Sequence, residues 1–230
     1  MQSSPVMSQP SSFVFRLVTL LFAAGLGAQS VWLLLAEFSR PGVARLPTDP
    51  QSVVAAVSER NDATWAAQIG LIRGDLWAES AFTFTDLLWA DPNKSSQLAQ
   101  SLDGAHARLD KALNYSPSRA DAWLLLAGLA SRYHWSKPDP AETLKMSYYT
   151  GPSDRSLMPL RLMIAGQLLR QDDELQELVR RDLRALIAQN DKPAVVRAYQ
   201  AATASNQQFI VQAASEIDSA FANLLHPGTQ

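Results

Sequence analysis

Apolar residues recur along most of this chain at steps of three and four, the spacing that aligns one face of an α-helix. Leu98, Leu102, Ala105, Leu109 and Ala112 make one such stripe. Leu175, Leu178, Val179, Leu183, Leu186 and Ile187 make a second, and Ile210, Ala213, Ala214, Ile217, Phe221 and Leu224 a third. The run 123–129 (WLLLAGL) is apolar on nearly every side, which predicts an inner helix covered from several directions. Alternating β-branched runs are missing apart from fragments such as 81–85 (AFTFT), which a helix absorbs. The pattern predicts helices over about 51–59, 62–73, 75–90, 96–114, 119–134, 140–149, 155–170, 173–189, 192–204 and 207–224. The short connections make successive helices antiparallel neighbours, and the expected fold class is all-α.

Start and stop signals agree with that division. Ser118 with Asp121, Asp139 with Glu142, and Ser205 with Gln208 fit the capping box, in which two side chains satisfy orphan amides of the first turn. Pro140 and Pro193 suit a first helical turn, where no amide partner is lost. Gly74, within Arg73-Gly74-Asp75, suits a turn between two helices; the same three letters spell a cell-adhesion tripeptide, but the corner explains them.

The amino-terminal fifty residues follow another rule. Leu17 to Ala36 runs for twenty residues without a charge, and a helix of about 20 residues spans the roughly 30 Å hydrocarbon layer of a bilayer. The expected organisation is a disordered tail over 1–12, a transmembrane helix over 13–36, a linker over 37–50 and a helical-repeat domain over 51–225. A cleaved signal peptide fits poorly: a cut after Ala28 leaves Leu26 at the −3 position and VWLLLA beyond the cut. Retention is the better reading. Ala23, Ala24, Gly27 and Ala28 give small-xxx-small pairs, which are also common in any membrane helix. Arg16 lies before the span, and Arg40 and Arg45 after it, so charge leaves the orientation nearly tied. A short tail ahead of a large carboxy-terminal domain favours a signal anchor in a bacterial inner membrane with the domain in the periplasm.

Composition then removes several kinds of chemistry. Twenty Lys and Arg against 22 Asp and Glu give a net charge of −2, with no basic excess for nucleic acid. There is no cysteine, and His106, His134 and His226 are far apart, so no metal site and no cofactor is expected. The phosphate-binding GxxxxGK[ST], HExxH, GxSxG and Ser-x-x-Lys patterns are all missing. Tyr133 and Lys137 have the spacing used by some nicotinamide-dependent dehydrogenases, but no glycine-rich strand–helix turn precedes them. Asn93-Lys94-Ser95 and Asn114-Tyr115-Ser116 are glycosylation sequons at a frequency near chance. No catalytic residues are assigned, and the chain is not expected to be an enzyme.

One stretch, residues 105–127, carries a resemblance. Counting back from Pro117, Ala112, Leu109 and Ala105 stand at small, large and small positions; counting forward, Trp123, Leu126 and Ala127 stand where an aromatic, a leucine and a small residue recur. This spacing resembles the tetratricopeptide repeat, covering the end of one repeat and the start of the next. Small residues there let paired helices approach while large ones fill the facing gap. Around 65–81 the composition is similar but out of register, and Pro138 and Pro140 break the pattern later. The resemblance implies an α-solenoid of antiparallel helix pairs, degenerate at both ends, of the kind that holds proteins or peptides on a concave face.

Two clusters stand out on the surface pattern. Arg180, Arg181 and Arg184 follow Glu177 on one helix and are best explained as a solvated face. Between 132 and 152, Arg132, Tyr133, Trp135, Tyr148 and Tyr149 flank a proline-rich break, and these residue types are enriched in binding hot spots. They are the candidate partner-binding residues, although rings capping a helix pair explain them as well. The function expected is a membrane-anchored scaffold or adaptor for other envelope proteins, in a setting such as surface-polymer assembly or export. The alternatives are an enzyme or small-ligand binder in which Asp75, Glu79 and Asp86 converge, and a structural homo-oligomer. The helical spacing of those carboxylates favours a shared exposed face over a site.

Overall fold

The computed structural model describes residues 12–40, 42, 44–91, 97–168 and 172–225, so all but the last residue of the expected tail and the sequon at 93–95 lie outside the described residues. Every regular element among the described residues is helical. The first, α1 (Ser12–Phe38), is continuous, and its Phe13–Phe38 stretch is by length and composition able to cross a membrane. Its side chains are exposed until the last turns, where Trp32 is half-buried and Ala36 is covered.

The rest of the chain folds into α2 (Pro50–Ser58), α3 (Arg60–Gly70), α4 (Gly74–Phe82), a 3-10 turn (Thr85–Leu88), α5 (Leu98–Tyr115) and α6 (Ala120–Arg132). Then follow α7 (Pro140–Thr150), α8 (Met158–Leu168), α9 (Asp173–Ala188), α10 (Lys192–Ala201), α11 (Ala204–Ser215) and α12 (Ser219–Leu225). Aspartates start several of them. Asp49, Asp139, Asp172 and Asp191 each accept backbone N–H groups of the first turn, and Asp218 does the same for Phe221. Replacing Asp139 by alanine removes the acceptor for Ala141 and Glu142. We expect a loss of about 1 kcal/mol in denaturant unfolding.

None of the three expected capping boxes is complete: at α7 Asp139 accepts the Ala141 and Glu142 N–H groups, but the Glu142 carboxylate turns to Lys145. At α6 the cap position is Arg119, not Ser118, because Arg119 engages the Asp121 carboxylate at 2.9 and 2.7 Å. At α11 the cap position is Thr203, and Ser205 already lies inside the helix. Two expected helices are broken. Over 75–90 the Thr83 and Thr85 hydroxyls donate to Ser80 and Phe82 carbonyls, ending α4 and tightening the chain into the 3-10 turn. Over 207–224 the Asp218 cap starts a new helix, so the stripe changes register: Leu225 is buried, and Leu224 is exposed.

Packing follows the apolar stripes. Ala105, Leu109 and Ala112 are fully buried on α5, and Leu124 to Ala130 are buried on α6, the expected inner helix. Gly128 shows how closely α6 is approached: a Cβ there would meet Leu88 at 2.7 Å and Ile164 of α8 at 2.9 Å. Neighbours in sequence pair, with α4 against α5, α6 against α7, and α8 against α9. Alternate helices also touch: α4, α6, α8 and α10 form one row, and α7, α9 and α11 form another. One continuous apolar core runs from Ala36 and Leu46 to Leu225.

Candidate partner-binding cleft

The row of α4, α6, α8 and α10 leaves a cleft where its later members face the start of α2 and the 3-10 turn. The cleft has a volume of about 750 Å³. Leu160 and Met163 of α8, Ala194 and Ala198 of α10, Val53 of α2 and the half-exposed Trp89 supply its apolar wall. Four polar residues join the lining: Thr48, Asp49, Asp86 and Arg197. Asp86 is held by Arg60 at 3.0 Å, whereas Arg197 makes no ion pair with the described residues. An apolar trough with few polar groups and one available cation suits an amphipathic segment better than a polar metabolite. The sequence pattern missed this cleft because its lining comes from four separated stretches, each with an ordinary helical stripe.

The aromatic patch is not brought together as one surface. Tyr148 is buried on α7, and Tyr149 beside it points outward, donating to Glu174 at 2.6 Å. That carboxylate also pairs with Lys145, which Glu142 and Asp172 share, and these contacts hold the Lys145 ammonium above its ordinary pKa. Arg132 donates to the Ala90 carbonyl, and Tyr133 donates to Leu87 at 2.8 Å. Both therefore pin the wall beside Trp89. Trp135 sits edge-on to His106, with ring centroids 5.0 Å apart. A second, more open hollow of about 780 Å³ lies nearby, lined by His106, Asp110, Trp123, Lys137 and Asp139 among others.

Asp75, Glu79 and Asp86 do not share a solvated face, contrary to expectation. Glu79 is 0% exposed and is paired with Arg40 at 2.6 Å, while Asp75 is taken by Arg73 at 2.6 Å. The periodicity is right, but the chain after α1 lies back over that face: Arg40 reaches it, and Leu46 and Pro47 are buried. Of the arginine cluster on α9, Arg180 and Arg184 pair with Glu177 at 3.8 and 3.4 Å, and Arg181 and Arg184 are exposed, but Arg180 is half-buried with its guanidinium over the Phe209 ring.

A third polar group lies between α7, α8 and α9. Arg161 is fully buried and donates to Ser147 and Gly151. Asp182 is buried beside it, and among the described residues neither of its carboxylate oxygens nor the Tyr148 hydroxyl has a hydrogen-bond partner. Burial pushes Asp182 up to about 6 against the pull of Arg161 and Arg181. The cluster is enclosed by packed helices and lines neither hollow. Among the described residues no group of His, Asp and Glu is placed to hold a metal ion. Comparisons with protein-family models, with curated proteins and with solved structures each give no match.

Proposed function

We infer that this chain is a membrane-anchored helical scaffold that receives a helix or peptide of another envelope protein in the cleft between α2, α8 and α10. The observation that carries this reading is the largely apolar trough lined by Arg197, which makes no ion pair among the described residues, built on the row of alternate helices. That row supports an α-solenoid of the tetratricopeptide type. The burial of Ala105, Leu109, Ala112, Leu126 and Ala127 at the small and large positions accords with it. The apolar α1 supports anchoring in a bacterial inner membrane, with the domain on the periplasmic side as the preferred orientation. Such a scaffold needs no reacting group: the partner's apolar face fills the trough, and an acidic side chain or terminal carboxylate meets Arg197. Assembly or export of a surface polymer is a fitting setting.

A photoreactive residue at Met163, on the cleft wall, tests the reading in native membranes. We expect one discrete adduct containing a different protein, lost when Arg197→Glu is added. The same residue at the exposed Arg184 of α9 should give none. No adduct from Met163 would remove the scaffold reading, and an adduct of two copies of this chain would replace it with a homo-oligomer.

A further inference from the structure

The corner between α3 and α4 carries two large apolar side chains that the fold leaves uncovered: Leu71 is 59% exposed and Ile72 is 66% exposed. Helix–helix corners are ordinarily polar, and Leu71 has a φ of 45°, a conformation that glycine or asparagine adopts at lower cost. The corner is also held stiffly. Trp77 donates its indole N–H to the Leu71 carbonyl at 2.8 Å, and Arg73 clamps Asp75.

Contacts with α1 fix the depth of this corner along the apolar helix. Trp32 donates to the Ile69 carbonyl at 2.7 Å, and Glu37 pairs with Arg73 at 3.0 Å. Residues 69–73 therefore run beside residues 32–37, and Leu71 and Ile72 lie level with the last apolar turn before the first charge, Glu37. At about 1.5 Å per residue, Ile69 lies some ~7 Å along α1 below that charge, within the roughly 5–10 Å to which interfacial elements enter a bilayer. The far end of α3 points away, since Arg60 bonds Thr83 and Asp86 beyond Glu79. One turn back from Ile69, the exposed Trp65 suits the headgroup belt where such rings collect.

We propose that Leu71 and Ile72 insert into the interfacial layer of the same bilayer that α1 crosses, so that the domain rests on the membrane by a second, rigid contact. The occupant is lipid because the corner continues the uncharged surface of α1 at the same level. This rests on the reading of α1 as a membrane span. Two contacts fix the domain's orientation over the bilayer, which a single tethered helix does not.

The chain has no cysteine, so single cysteines can be labelled cleanly. Full-length Leu71→Cys, Ile72→Cys, Leu26→Cys and Arg184→Cys would each carry an environment-sensitive fluorophore in phosphatidylcholine vesicles containing brominated lipids. The expected result is blue-shifted, bromine-quenched emission at 71 and 72, strongest with bromines near the headgroup. Position 26 should be quenched most by deep bromines, and position 184 not at all. Quenching at 26 but not at 71 and 72 overturns the proposal while leaving the span intact. A blue shift without quenching at 71 and 72 puts a protein surface over the corner and also overturns it. Loss of quenching at 26 removes the span reading and the proposal together.

Discussion

Arg40→Ala is expected to lower the unfolding free energy by about 3–5 kcal/mol, the cost of stranding a buried carboxylate. Glu79 has no exposed surface, and Arg40 is its counter-charge: Nε donates at 3.2 and 2.9 Å, and Nη2 donates at 2.6 Å. The bonds to Glu79, and then to Glu37, raise the Arg40 guanidinium above its ordinary pKa. The planar fork matches the carboxylate in a way an ammonium does not, so Arg40→Lys should recover only part of the loss. Arg40→Met combined with Glu79→Leu should recover most of it, because an apolar pair of similar volume carries no desolvation cost. Denaturant unfolding in detergent micelles measures all three variants. A loss under about 1 kcal/mol for Arg40→Ala, the scale of a solvated pair, would show that the segment after α1 does not hold its place on the domain.

Arg40 also shows where sequence reasoning stops. The stripes of α5 and α9 were legible because each helix has one neighbour-facing side, and a period of three to four reports that side directly, while α6 was legible as an inner helix because it is apolar nearly all round. Ala105, Leu109 and Ala112 of α5 and Leu175, Val179, Leu183, Leu186 and Ile187 of α9 are buried, whereas Leu98, Leu102 and Leu178 of the same stripes are only partly so. Periodicity reports which positions share a face, but not what covers the face. Asp75 and Glu79 do share one, and a distant arginine just after α1, ahead of the proline-containing stretch, closes over it. Helix breaks were hidden for a related reason. Thr83 and Thr85 are compatible with a helix until their hydroxyls take carbonyls from the turn before, and Asp218 reads as one more polar residue until it caps α12. The candidate cleft had no local signature at all, since Val53, Trp89, Met163 and Arg197 meet only once the helices are stacked. The aromatic cluster shows the opposite case: it is local in sequence, but α7 buries Tyr148 and leaves Tyr149 exposed, so the two rings do not share one surface.

Asp182→Asn should change how stability depends on pH, because Asp182 is the carboxylate that the fold accommodates least well. It is buried between Tyr148 of α7 and Arg161 of α8, with Arg181 on its own helix, and its oxygens have no hydrogen-bond partner among the described residues. Desolvation raises its pKa from 3.8 to about 6. The native state thus holds this proton more tightly than the unfolded chain does. The contribution from this site is fully present below about pH 4 and is lost as the pH rises through about 6. Relative to Asp182→Asn, the wild-type protein should gain on the order of 2 kcal/mol between pH 7 and pH 4.5. Comparing the two proteins is necessary because other carboxylates act in the opposite direction. The Leu175 N–H lowers Asp172, and the Phe221 N–H lowers Asp218, so their contributions fall as acid is added. These terms are common to both proteins and cancel in the difference. Arg161 keeps its Nε and Nη2 bonds to Ser147 and Gly151 in the variant, while its Nη1 has no partner among the described residues in either protein, so the helices around it should stay packed. A difference that stays constant across this range would mean that Asp182 does not change protonation there, and that water or a rearranged Tyr148 reaches the carboxylate.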